Sequence, residues 1–162
     1  MFFTSLEYQH KKMYTAIVEM PLGTKHKYEI DKITGELTLD RVIPVSVPVN
    51  YGFIINTLSE DGDAIDVFIA SMEPIPPLTR VLIEVVGIIK CVDDGKEDNK
   101  VLAYIKDDTK TKSILNTEDL TSKVLQYLKT YKKTINVEEC LGLDDAIKAI
   151  EESSDLFFLE TT

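Results

Sequence analysis

The 162-residue chain has no tryptophan, two cysteines and two histidines, and no apolar run nears the ~18 residues of a membrane-spanning helix. The missing run argues against a helical membrane protein. Cys91 and Cys140 lie far apart and make no metal-ligand spacing; Cys91 sits in an apolar run and is expected to be a buried small residue. No Ser–His pair is offered, so His10 and His26 are not expected to serve a nucleophile. Basic residues are also scarce: 18 Lys and Arg stand against 28 Asp and Glu, a formal charge of −10. That balance argues against nucleic acid, since no basic stripe is available to neutralise phosphates. It also makes a bare anion an odd ligand, because the long-range field repels it. An anion that arrives with cations escapes this objection. The chain lacks repeats, low-complexity segments and Gly/Ser linkers. Its start, MFFTSLEYQHKKM, lacks a long apolar stretch and a small-residue cleavage site, so a cytoplasmic protein is expected. With 44 % apolar and 28 % charged residues, residues 1–162 are expected to form one domain with a real core.

What is present reads first as short strands. TAIVEM (15–20) ends at Pro21. KYEID (27–31) and LTLDR (37–41) form a hairpin with Gly35 in its turn, followed by the Pro-punctuated connector IPVSVPVN. YGFII (51–55), DVFIA (66–70), RVLIEVVGIIKCV (80–92) and KVLAYI (100–105) are further strands, with a bulge suggested at Gly87. Near residue 114 the pattern changes. Asn116 or Thr117 caps a helix running to about Lys133, with Leu120, Val124, Leu128 and Tyr131 as its apolar stripe. A second helix runs from about Leu143 to Glu152, with Ala146, Ile147, Ala149 and Ile150 inward. Many strands followed by two helices predict an α+β, mainly β fold: a small Greek-key barrel with two flanking C-terminal helices.

Three charged constellations stand out. EDGDAID (60–66) brings Asp61, Asp63 and Asp66 together; the first two share a face if the chain is extended, and Gly62 permits a tight turn. Converging carboxylates are costly unless a hard cation such as Mg²⁺ or Mn²⁺ sits among them. The helix-loop-helix calcium pattern fails on spacing, because Ile65, Asp66 and Met72 occupy its fifth, sixth and twelfth positions. In VDDGKEDNK (92–100), a four-residue turn over 94–97 sets Asp93 opposite Asp98, again unfavourable without a cation. In the 27–41 hairpin, pairing Asp31 with Leu37 sets Lys27 opposite Arg41, an arrangement that calls for a bridging anion, with Glu29 on the face of Lys27. Tyr131 and Lys132 offer a hydroxyl and an ammonium at a helix end. Each constellation taken alone is matched by a solvated acidic turn or an ordinary surface pair. Together they describe a pocket for an anion that arrives as a metal complex, as in phosphoryl transfer.

The chain resembles the family I soluble inorganic pyrophosphatases, particularly the compact bacterial ones. DGDAIDV (61–67) is similar to that family's D-G-D-P-x-D-V signature. VEMP (18–21), KYEID (27–31), DR (40–41), NYG (50–52), VGIIKCVDDGKEDNK (86–100) and YK (131–132) follow in family order over roughly residues 15 to 135. The resemblance implies a five-stranded OB-like barrel, a homohexamer, and Mg²⁺-dependent hydrolysis of pyrophosphate with no covalent intermediate, Mn²⁺ being a substitute. Carried over by position, it implies that Asp61, Asp66 and Asp98 bind activating metals and that Asp93 helps hold metals arriving with the substrate. Asp63 would be the general base toward a metal-activated water. Lys27, Arg41, Tyr131 and Lys132 would hold phosphoryl oxygens, with Glu19, Glu29, Tyr51 and Lys100 in support. Three positions depart from the family pattern: Ala64 replaces a proline, Asp94 a common glutamate, and Val47 a frequent aromatic, which puts a pocket-wall contact in question. A hydrolase of nucleotides or polyphosphate, and a non-catalytic ion-binding or assembly protein of the same fold, are the alternatives. The first is disfavoured by the few aromatics available to stack a base, the second by the presence of every expected base and phosphate ligand.

Overall fold

The computed structural model describes residues 13–31 and 33–161. The opening segment, read above for a targeting signal, and His10 lie outside the described residues except at Met13. Among the described residues nine strands and three helices follow in the order β1 (Met13–Met20), β2 (His26–Ile30), β3 (Leu37–Val42), β4 (Asn50–Ile54), β5 (Asp66–Ala70), β6 (Arg80–Asp93), β7 (Lys96–Glu97), β8 (Lys100–Ile105), α1 (Thr109–Ile114), α2 (Thr117–Tyr131), β9 (Ile135–Leu141) and α3 (Leu143–Thr161).

Strands β1, β4, β5, β8 and β6 are hydrogen-bonded in that order, and β6 pairs back onto β1, closing a five-stranded barrel. The β5–β8 pair is parallel and the other barrel pairs are antiparallel. Closure removes the barrel's own free edges. The near-continuous apolar runs of β5 and β8 follow from burial on both faces. Phe68, Ala70, Leu102 and Tyr104 pack with Leu120, Val124 and Leu128 of α2. The alternate residues Val67, Ile69, Val101 and Ala103 join Ala146 and Ile150 of α3. The predicted barrel and two flanking helices are therefore present. β9, which adds to β6, and the short α1 were not read from the sequence.

Helix α2 starts where predicted. The Asn116 side chain accepts a hydrogen bond from Asp119 N at 2.9 Å, and Glu118 and Asp119 lie in the first turn. It ends at Tyr131 rather than Lys133, and α3 extends nine residues past Glu152 to Thr161. Among the described residues no helix is long and apolar enough to cross a membrane.

Bulges, not even alternation, aim several charged side chains. Val18 pairs with Gly52 and Met20 with Tyr51, leaving Glu19 as the extra residue of β1. Lys27 faces Arg41 as predicted, but by another route: Ile30 pairs with Leu37, not Asp31, and Asp40 is inserted between Leu39 and Arg41. The ladder also shifts between Val85 and Gly87, as the glycine suggested. The 92–100 turn is tighter than expected. Asp94 (φ 52°) and Gly95 (φ 77°) make a two-residue loop, so Asp93 pairs with Lys96 and not Asp98. A short Asp suits the left-handed position occupied by Asp94. Val47 is fully buried in the core, so its substitution for an aromatic alters packing and not a pocket wall.

Candidate active site

The expected carboxylates gather at one end of the barrel, and sheet register does much of the gathering. Asp66 and Lys100 open the parallel strands β5 and β8 and are Cα partners. Lys100 is almost fully buried and places its Nζ 2.5 Å from Asp66 Oδ2 and 2.9 Å from Asp98 Oδ1. Lys132, just past the end of α2, places its Nζ 2.7 Å from Asp93 Oδ2 and 3.4 Å from Asp98 Oδ2. Asp98 is thus held by both ammoniums. Asp93 and Asp98, which do not face each other in the ladder, meet through Lys132.

The acidic loop is curled rather than extended. Asp61 Oδ1 accepts from Asp63 N at 3.0 Å, Asp63 O accepts from Ser59 N at 2.7 Å, and Gly62 has φ +86°. That φ is open to glycine at little cost. Glu60 accepts from Glu97 N at 3.2 Å, which ties this loop to the β7 hairpin and sets Asp61 beside Asp98.

The electrostatics reflect carboxylates in excess. Burial raises the pKa of Asp61, and the charges of Asp98, Asp63 and Asp66 push it further, against the Asp63 amide. Burial also raises Asp66, with Lys100 offsetting only part of the cost. Burial would raise Asp98 too, but Lys100 and Lys132 outweigh it and its pKa falls. Hydrogen bonding to Lys132 lowers Asp93. Burial, followed by the charges of Asp66 and Glu19, lifts the hydroxyl of Tyr51 well above the usual phenol range.

Lys100 and Lys132 also line a small neighbouring pocket, together with Lys27, Tyr51, Tyr127, Tyr131, Met20, Phe68 and Leu128. Three lysines and three tyrosines make this pocket a donor-rich site for an anion. Arg41 stands at its edge, donating through Nη2 to the Tyr131 hydroxyl at 3.3 Å with its guanidinium 5.7 Å from the ring centre. Lys100 and Lys132 therefore contribute both to the carboxylate cluster and to the lining of this pocket.

Lys27 and Arg41 come from the β2–β3 hairpin, a two-stranded sheet of its own. Glu19 accepts from Ile30 N at 3.1 Å and so fastens the hairpin to β1. Glu29 is exposed, 3.9 Å from Lys27 Nζ. The sequence reading gave no role to Asp40, whose carboxylate lies 3.9 Å from both Lys27 Nζ and Arg41 Nε. It also missed Tyr127, one helical turn before Tyr131. The DR pair at 40–41 and the four-residue spacing of the tyrosines were the available signals.

The donor set suits a hard divalent cation. Asp61, Asp66, Asp93 and Asp98 offer only oxygen, and with Asp63 they set five carboxylates against two ammoniums. Among the described residues no three Asp, Glu, His or Cys side chains enclose a point where an ion would sit. Instead Lys100 Nζ lies between Asp66 and Asp98, as an internal counter-charge.

The sequence pattern of the inorganic pyrophosphatase family matches residues 16–157. A soluble inorganic pyrophosphatase of Oryza sativa subsp. indica is 37 % identical over 155 residues, covering 90 % of this chain and 72 % of the rice protein. An inorganic pyrophosphatase of Mycoplasma genitalium is 40 % identical over 152 residues, covering 88 % of this chain and 81 % of its own. The crystal structure of an inorganic pyrophosphatase from Neisseria gonorrhoeae superposes with a TM-score of 0.82 at 31 % identity, over 90 % of this chain and 91 % of that one.

Proposed function

This chain belongs to the inorganic pyrophosphatase family of metal-dependent hydrolases, and we propose that the paired acidic and basic pockets are where it splits pyrophosphate into two orthophosphates. The observation that carries this reading is the sharing of Lys100 and Lys132 between a carboxylate cluster and an anion pocket. A site with both halves suits an anion that comes with its own cations, which is how a chain of charge −10 accepts pyrophosphate.

In this reading Asp61, Asp66, Asp93 and Asp98 hold Mg²⁺, with Mn²⁺ as a substitute. The bound cations supply Lewis acidity toward water and phosphoryl oxygen. Lys27, Arg41, Tyr131 and Lys132 orient the phosphoryl oxygens by charge-assisted hydrogen bonds. Asp63, on the turn closed by Asp61, takes the proton of the attacking water. The new bond joins that oxygen to one phosphorus, and the bridging P–O bond breaks with its electron pair on the leaving phosphate. Lys27 and Arg41 balance the charge developing there. Tyr51 and Lys100 orient Asp66, Glu19 fixes the hairpin, and Glu29 steers Lys27. The residues 1–162 act as one domain in a cytoplasmic homohexamer.

The test is orthophosphate release from pyrophosphate with Mg²⁺, with a chelator, and with ATP as a second substrate. Rapid metal-dependent release from pyrophosphate and little from ATP is expected. Asp63→Asn should lower kcat by about 10²–10⁴-fold while sparing the fold; an unchanged rate would overturn the base assignment.

A further inference from the structure

Tyr127 is the one member of the anion pocket's three tyrosines without an assigned role. Its ring is held on two sides. It stacks on Tyr131 with centroids 5.0 Å apart and planes at 26°, and it meets Phe68 edge-on at 6.0 Å. The residue is only 7 % exposed. A ring so packed would serve as well in phenylalanine, so the hydroxyl needs its own explanation. No hydrogen bond joins that hydroxyl to any of the described residues. Yet among the described residues no sealed side-chain nitrogen or oxygen lacks a partner. The hydroxyl is therefore open to the pocket that Tyr127 lines with Lys27, Lys100, Tyr131 and Lys132.

Resting on the reading that this pocket receives pyrophosphate, we infer that Tyr127 is a further substrate-binding residue, whose hydroxyl donates to a phosphoryl oxygen held among Lys27, Lys100 and Tyr131. The helix supports this placement, since residues 127 and 131 lie four apart on one face of α2 and Lys132 follows directly. Burial, and then Tyr131, keep the phenol protonated and hence a donor, against the pull of Lys100 and Arg41.

The test compares wild type, Tyr127→Phe and Tyr127→Leu. It reads kcat and KM for Mg²⁺-dependent pyrophosphate hydrolysis, calorimetric affinity for inorganic phosphate, and thermal midpoint. Tyr127→Phe keeps the ring and removes one neutral donor. It is expected to raise KM and the phosphate Kd by about 3- to 10-fold, with kcat within about twofold and the midpoint unchanged. If Tyr127→Phe matches wild type in KM and phosphate affinity while Tyr127→Leu alone is impaired, the residue serves packing only and the inference falls. If wild type releases no orthophosphate from pyrophosphate, the functional reading fails first and the inference falls with it.

Discussion

Replacing Lys100 with methionine tests the view that its ammonium is a counter-charge the carboxylate cluster depends on. The side chain is 3 % exposed, and its Nζ touches Asp66 at 2.5 Å and Asp98 at 2.9 Å. Methionine fills a similar volume but leaves two neighbouring carboxylates without their shared cation. Removing one partner of a buried ion pair costs about 3–5 kcal/mol. For a chain of this size each kcal/mol moves the thermal midpoint by about 2–4 °C. In chelator, Lys100→Met should therefore melt about 6–20 °C below wild type. A divalent cation offers the same carboxylates a stronger partner, and with this ammonium gone only Lys132, 3.4 Å from Asp98 Oδ2, still competes for them. Saturating Mg²⁺ should then raise the midpoint of the variant more than that of wild type, since binding stabilises by about 2.7 kcal/mol at a hundredfold excess over Kd. Circular-dichroism melts of both proteins in chelator and in Mg²⁺ give the four numbers required. A midpoint unchanged in chelator, or a deficit of equal size with and without Mg²⁺, would refute the reasoning.

Gly52→Ala should destabilise by more than about 3 kcal/mol, because the new Cβ would lie 2.0 Å from the Ile17 carbonyl oxygen, on a neighbouring strand that cannot yield; a melt within a few degrees of wild type would contradict this. In chelator, Lys132→Gln should flatten the acid limb of stability. Lys132 depresses the pKa of Asp93, so that contribution is present above the unfolded value of about 3.9 and is lost as pH falls through the lower folded value. Parallel acid limbs in the two proteins would contradict it. Alkylation at pH 8 should modify the exposed Cys140 and spare Cys91, which is buried with its thiol pushed up to about 11, until denaturant is added; mass spectrometry reads one adduct and then two.

Local signals carried most of the fold. The bounds of β5 and β8 follow from short apolar runs between turn residues, and α2 from a capping Asn and a Leu120–Val124–Leu128 stripe. The misses occurred where local pattern under-determines the answer. A DDGKED stretch supports loops of two or four residues, and the choice moves Asp98 out of the ladder. Bulges at Glu19 and Asp40 leave no mark in an alternating sequence, because one inserted residue looks like a change of phase. The Lys100 ammonium joins Asp66 to Asp98 through a parallel pairing of strands 34 residues apart, a distance at which pattern is silent. Tyr127 was hidden by its place on an apolar stripe, where an aromatic is already accounted for.

The β2–β3 hairpin gives the site a mechanical asymmetry. The carboxylates sit on strands and loops of a closed barrel, while Lys27 and Arg41 ride on a ribbon whose strands, among the described residues, pair only with each other. The Glu19–Ile30 bond pins the ribbon near its turn, so Lys27 and Arg41 stand at the opposite end of the two strands, where the ribbon joins the rest of the chain. A diphosphate gripped by both halves would act as a strut between the ribbon and the barrel. Cleaving its bridging bond cuts the strut in two, and each fragment then answers to one half alone. The chemistry would in this way loosen the clamp that held its own substrate, and opening for product release would need no separate trigger.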